Sequence, residues 1–274
     1  MKTLLHDPSC LDPDALAFYG AALDLLKEDG IPFLVGGAYA LGRYTGISRC
    51  TKDLDIFVRP ADCRAVLDAF ARRGFQTELT FPHWLGKVYG GDDVLDVIFS
   101  SGNAVVEVDD EWFRHAVSDA VLDREVLLVP AEEIIWSKAF IMERERFDGA
   151  DILHLLHACA ETLDWPRLVR RFGTHWRLLL CHLILFEYVY PGAASSAPRQ
   201  ALRQLLGRLQ EEEPAGPADK PLCQGPLLSR AQYLIDVQQW GYHDARLAPT
   251  GKMTPEHLAV WTAAIGIDNP SRGQ

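Results

Sequence analysis

Hydrophobic and polar positions along this chain repeat with two periods, and the change from one to the other divides it. From Pro13 to Asp29, Leu16, Tyr19, Leu23 and Leu26 recur at helical spacing, with Asp12 or Pro13 to open the helix and Gly30 to close it. The next run, IPFLVGG, is a short apolar strand stopped by glycines. DLDIFV then alternates at period two, so Leu54, Ile56 and Val58 share one face while Asp53 and Asp55 share the other. Pro60-Ala61-Asp62 opens another helix, with Val66, Leu67 and Phe70 inward and Gly74 at its end. Gln76 to Leu79, Lys87 to Tyr89 and Val94 to Phe99 read as strands, the last entered through the turn Tyr89-Gly90-Gly91-Asp92. Val105 to Val108 and Val126 to Val129 add edge strands.

Past Pro130 the period is helical throughout: Glu132 to Arg146, Gly149 to Thr162, Trp165 to Phe172 and His175 to Tyr190. A domain boundary is expected near Pro130, giving an α/β domain over 1–130 and a helical domain over 131–274. Within the latter, LQEEEPAGPADKPLCQG, about 209–225, is a Pro/Gly/Glu-rich loop. Pro226 to Val237 is a further helix, and Thr254-Pro255-Glu256 carries the N-cap and N1-proline signature of a last one.

Composition narrows this picture only a little. Over 274 residues, 48% are hydrophobic and 24% charged, as in an ordinary globular protein. The net charge of −11 argues against a broad, sequence-independent grip on nucleic acid. No stretch reaches the roughly 18 to 20 apolar residues of a membrane span, and the opening apolar run is too short for a signal peptide. Six cysteines without a C-x-x-C pair fit a reducing cytoplasm better than a disulfide framework or zinc site.

The chemistry lies in FLVGGAYALGRYTGISRCTKDLDIFVRP, from Phe33 to Pro60. Asp is a poor strand residue, and two carboxylates on one strand face repel unless a cation lies between them. Asp53 and Asp55 therefore suit a divalent metal. Gly36-Gly37 lets backbone approach a ligand at a helix start, a natural phosphate seat. Arg43, Arg49 and Lys52, with Thr45, Ser48 and Thr51, suit polyphosphate oxygens. Asp96 lies inside an apolar strand, where a carboxylate needs a partner. If that strand pairs beside the one carrying Asp53, three carboxylates converge and could hold two magnesium ions. Asp92 and Asp93 compete for that third place but read as turn acids. Arg167, Arg170, Arg171 and Arg177 read as a solvated helix face.

Gly-Gly, a polar segment, Asp-hydrophobic-Asp and a later strand Asp together resemble the nucleotidyltransferase superfamily typified by DNA polymerase β. More narrowly, GGAYALGRYTGISRCTKDLDIFV resembles the small bacterial nucleotidyltransferases of the AbiEii toxin-like group. In the helical half, IIWSKAFIMERERFDGADILHLL is similar to that group's lysine helix and the acidic segment after it, although Phe147 separates Arg146 from Asp148. The resemblance implies an α+β fold, a small mixed sheet flanked by helices and followed by an all-α domain. It implies an enzyme that binds an NTP such as ATP with Mg2+ or Mn2+ and transfers NMP by a two-metal mechanism, releasing pyrophosphate. Asp53, Asp55 and Asp96 would be the catalytic and metal residues; Gly36, Gly37, Arg49, Lys52, Lys138 and Asp148 would contact the nucleotide, and Asp151 would match the second acid of the pair. The acceptor is left open between a small molecule, a protein side chain and an RNA end, the last as in toxin–antitoxin relatives. The alternative is a catalytically silent nucleotide sensor or scaffold on the same fold.

Overall fold

A computed structural model of the protein describes residues 12–49, 51, 53–192, 196–212 and 221–265. The chain opens with α1 (Pro13–Glu28), whose N-cap Asp12 accepts a hydrogen bond from the Ala15 N–H at 2.8 Å. The buried stripe of α1 is Ala15, Phe18, Tyr19, Ala22, Leu23 and Leu26. There follow β1 (Leu34–Val35), α2 (Gly37–Thr45), β2 (Asp53–Phe57), α3 (Pro60–Arg72), β3 (Gln76–Phe81), β4 (Leu85–Gly90) and β5 (Asp93–Ile98). Next come α4 (Asp110–Arg114), β6 (Val117–Val121) and β7 (Arg124–Leu128). These seven strands form one mixed sheet in the order β3-β4-β5-β2-β1-β7-β6. β2 runs parallel to β5 and β1 parallel to β7, while the other neighbours are antiparallel.

Beyond the sheet lie α5 (Ala131–Lys138), α6 (Gly149–Cys159), α7 (Trp165–Phe172), α8 (Trp176–Val189) and α9 (Ser196–Glu211). The two-residue strands β8 (Leu222–Cys223) and β9 (His243–Asp244) pair with each other, with α10 (Leu234–Gln238) between them, and α11 (Pro255–Ala263) comes last. The architecture is a mixed α/β fold with a helical C-terminal region. No helix among the described residues is long and apolar enough to cross a membrane.

The core alternates as the sequence dictates. Leu54, Ile56, Leu95 and Val97 are fully buried on one face of the central strands. Each contributes roughly 1.5–3 kcal/mol by leaving water. The opposite face carries the carboxylates, so the burial of one face fixes the register that displays the other.

Several expectations change in detail. Val105 to Val108 forms no strand; it packs Val106 and Val108 into the core from a loop. The strand around Val126 is interior, flanked by β1 and β6, because β6 folds back as a hairpin and takes the edge. The helix expected to Arg146 ends at Lys138, and Met142 and Phe147 then bridge across a hairpin. Of the helix expected over Pro226 to Val237, only a single turn at Gly225–Leu227 and α10 form. α9 runs into the acidic start of the Pro/Gly/Glu-rich segment, and 213–220 lie outside the described residues.

Arg170 and Arg177 are exposed as expected of a solvated face, whereas Arg167 and Arg171 depart from it. Arg167 is 3% exposed and pairs with Glu132 at 2.6 Å and Glu133 at 2.5 Å. Arg171 bridges Asp109, at 2.7 Å, and Glu133, at 3.0 Å. The apolar environment between α5 and α7 makes these charges depend on one another.

Candidate active site

β2 sets the site. Its alternation places Asp53 and Asp55 opposite the buried Leu54 and Ile56. β1 lies antiparallel beside it, with Val35 opposite Ile56, and the Gly36 N–H donates to the Asp55 carbonyl at 3.0 Å. The chain then turns into α2 with no room for side chains. A Cβ at Gly36 would lie 2.3 Å from the Phe57 ring, and one at Gly37 would meet the Asp55 carboxylate. The two glycines thus bring the first turn of α2 against the carboxylate.

On the other side of β2, β5 runs parallel with Asp55 opposite Asp96. Residues paired across neighbouring strands point to the same face, so Asp53, Asp55 and Asp96 share one side of the sheet. β4 continues the row antiparallel, with Lys87 opposite Asp96. The Lys87 ammonium donates to Asp96 Oδ1 at 2.8 Å. Asp93 opens β5 but lies three positions from Asp96 and faces the other way.

Electrostatics follow from this crowding. Burial, then the facing charges of Asp96 and Asp53, push the Asp55 carboxyl up to about 7, against the opposing pull of Lys138 and Arg146. Burial also raises Asp96, with Lys87 drawing it back. Carboxylates crowded on one face in this way suit a hard divalent cation, whose preferred ligands are carboxylate oxygens. The fit is best at Asp53 and Asp55. Asp96 is turned toward Lys87, and among the described residues no group of three or more His, Cys, Asp or Glu side chains is arranged to hold one ion. The expected convergence thus holds for strand order and face, whereas the third carboxylate already has a cation.

A second group faces the first. Lys138, the last residue of α5, donates to Asp148 Oδ2 at 2.6 Å and pairs with Asp151 at 2.9 Å. Arg146 grips Asp148 through two bonds of 2.9 Å. Asp148 sits at the N-cap of α6, yet its side chain makes no capping bond. Burial would raise it, but the Arg146 hydrogen bonds and Lys138 hold its carboxyl down to about 2. Asp151 is likewise held low, Arg49 and Lys138 outweighing its burial. Arg49 reaches Asp151 Oδ1 at 2.5 Å. The break after Lys138 explains the cluster: the hairpin folds Arg146 and Asp148 back over the end of α5, where a continuous helix would have carried them away.

Gly36, Gly37, Asp53, Asp55 and Asp96 therefore lie together on the sheet, and Arg49, Lys138, Asp148 and Asp151 lie together opposite them. Lys52 lies outside the described residues. Arg43 pairs with Asp119 on β6. Lys87 escaped the sequence reading, although a signal existed. Lys87 and Asp96 flank the Gly90-Gly91 turn at equal distances from the terminal pair Gly90 and Asp93, so a hairpin there must set them opposite.

No protein-family model matches the chain, and no curated protein does. Solved structures offer distant likenesses. A solution structure of the antibiotic-resistance factor ANT(2'')-Ia shares 15% identity over 73% of this chain and 95% of that one, with a TM-score of 0.39. The lincomycin-bound lincosamide antibiotic adenylyltransferase LnuA shares 16% over 53% and 96%, with a TM-score of 0.38. An antigenic nucleotidyltransferase-like protein from Paracoccidioides brasiliensis shares 16% over 73% and 91%, with a TM-score of 0.34.

Proposed function

We propose that the chain is a nucleotidyltransferase that moves NMP from an NTP to an acceptor hydroxyl and releases pyrophosphate. The observation that carries this reading is the pairing of Asp55 with Asp96 across parallel strands while Gly37 packs on the Asp55 carboxylate. It puts carboxylates, a helix start and open backbone at one point, as a metal-bound triphosphate requires.

In this reading Asp53 and Asp55 hold magnesium or manganese, which supplies charge neutralisation for the triphosphate and the leaving pyrophosphate. Gly36 and Gly37, having no side chains, let phosphate oxygens approach the backbone at the start of α2, while the Gly36 N–H itself stays on the Asp55 carbonyl. Asp96 faces the acceptor and takes its hydroxyl proton. Lys138, Arg146 and Arg49 approach the phosphates from the opposite side, with Asp148 and Asp151 fixing their positions; Lys52 is assigned the same role from sequence. The α/β part over 1–130 thus provides the donor site, and the helical part over 131–274 its cationic cover. The motif from Phe33 to Val58 favours kinship with the AbiEii toxin-like group.

The reaction is tested with NTPs labelled at the α- or γ-phosphate, in magnesium, against small-molecule antibiotics, proteins and RNA ends as acceptors. NMP transfer puts the α-label, and never the γ-label, on the acceptor. Nucleotide binding with no labelled acceptor from any class would favour the silent sensor.

A further inference from the structure

We propose that Lys87 stands in the place of a second divalent cation, so that this chain binds its nucleotide with one metal ion where three carboxylates alone would invite two. The inference rests on the nucleotidyltransferase reading and specifies the ion count at the same site.

The register fixes Lys87 there. It is the cross-strand partner of Asp96 in the β4–β5 hairpin, as Asp55 is its partner on the other side. Its ammonium lies 2.8 Å from Asp96 Oδ1, and both side chains are three-quarters or more buried, at 25% and 18% exposed. The paired strand fixes the Lys87 backbone opposite Asp96, and the burial of its side chain keeps the ammonium on that carboxylate. The other cations near Asp55, Lys138 and Arg146, are already engaged by Asp148 and Asp151.

Charge leads to the same count. Asp53, Asp55 and Asp96 carry three negative charges when ionised; Lys87 offsets one, and a single divalent ion offsets the other two. A second divalent ion on Asp96 would sit beside the ammonium and be repelled by it. Lys87 is thus a positioning residue. It holds the Asp96 carboxylate aimed, while Asp96 receives the acceptor's proton. The acceptor oxygen forms its bond to the α-phosphorus as the bond from that phosphorus to the bridging oxygen breaks. That bond's electron pair leaves with pyrophosphate, the hydroxyl proton passes to Asp96, and Lys87 keeps its own protons.

The test counts Mn2+ bound to the full chain by electron paramagnetic resonance after equilibrium dialysis, with non-hydrolysable analogues of all four NTPs. The wild type is expected to hold one ion per chain, Lys87→Met two, and Lys87→Met with Asp96→Asn one again. Lys87→Gln serves in place of Met if circular dichroism shows that the Met variant has not folded. Two ions in the wild type, or one in the folded Lys87 variant, would overturn the assignment and leave the metal-dependent reading standing. No bound ion in any of these proteins would overturn both.

Discussion

Gly37 lies so close to Asp55 that a Cβ at position 37 would come within 1.8 Å of Asp55 Oδ2. Its φ of +56° is also in the left-handed region that favours glycine. The same glycine therefore shapes the entry to α2 and leaves room for a carboxylate at its first turn. Gly37→Ala should cost about 1–3 kcal/mol in backbone strain. It should also displace the carboxylate and lower NMP transfer by about 100-fold or more. Urea unfolding and α-label transfer, measured on the same preparation, check both effects.

Asp55 itself should destabilise the metal-free protein. Its folded pKa is raised from 3.8 to about 7 by burial and by Asp96 and Asp53. The folded state therefore holds the proton more tightly than the unfolded chain does. This contribution is fully present below about pH 4 and is lost as pH rises through about 7. Asp55→Asn should make the metal-free protein more stable above about pH 7, by about 1–3 kcal/mol. Magnesium with nucleotide should raise the melting temperature of the wild type and not of the variant. A variant less stable than the wild type at every pH would contradict this account.

Asp148 has the opposite sign. Its folded pKa falls from 3.8 to about 2, burial being outweighed by Arg146 and Lys138. The stability it gives is present above the unfolded pKa and lost as pH falls through the folded one. Asp148→Asn should cost about 2 kcal/mol near neutrality. The gap from wild type should narrow in urea titrations taken from about pH 6 to about pH 3.

The ion pairs between α5 and α7 give a prediction away from the carboxylates. Arg167→Met takes from the fully buried Glu133 its partner at 2.5 Å and leaves it only Arg171, at 3.0 Å. The expected loss is about 3–5 kcal/mol. Replacing Glu133 by Leu in the same chain should restore part of it, because the interior then no longer holds a carboxylate that has lost its nearest partner. Denaturant midpoints of the two single variants and the double variant decide the matter.

These cases also show what the residues disclose by themselves. β2 was legible because its alternation and its glycine neighbours are local signals, and period two left Asp53 and Asp55 only one face. Asp96 was legible only on condition that β5 paired with β2, since strand order depends on long-range contacts. The break after Lys138 was hidden, because Phe140 and the residues after it keep a helical pattern while the chain folds into a hairpin around Met142 and Phe147. Arg167 and Arg171 look like part of a solvated face because their main carboxylate partners lie far off along the chain: Glu133 is separated from Arg167 by 34 positions and Asp109 from Arg171 by 62.

The central claim is that Asp53 and Asp55 carry a metal-bound NTP through transfer. The most direct measurement is magnesium-dependent pyrophosphate release, followed with the acceptor identified by α-label transfer, for the wild type, Asp53→Asn and Asp55→Asn. Release by the wild type that stops on chelation, and a fall of about 1,000-fold or more in both variants, is the predicted result. Release by either variant within about tenfold of the wild type, a difference of only about 1.4 kcal/mol in the barrier, would contradict it.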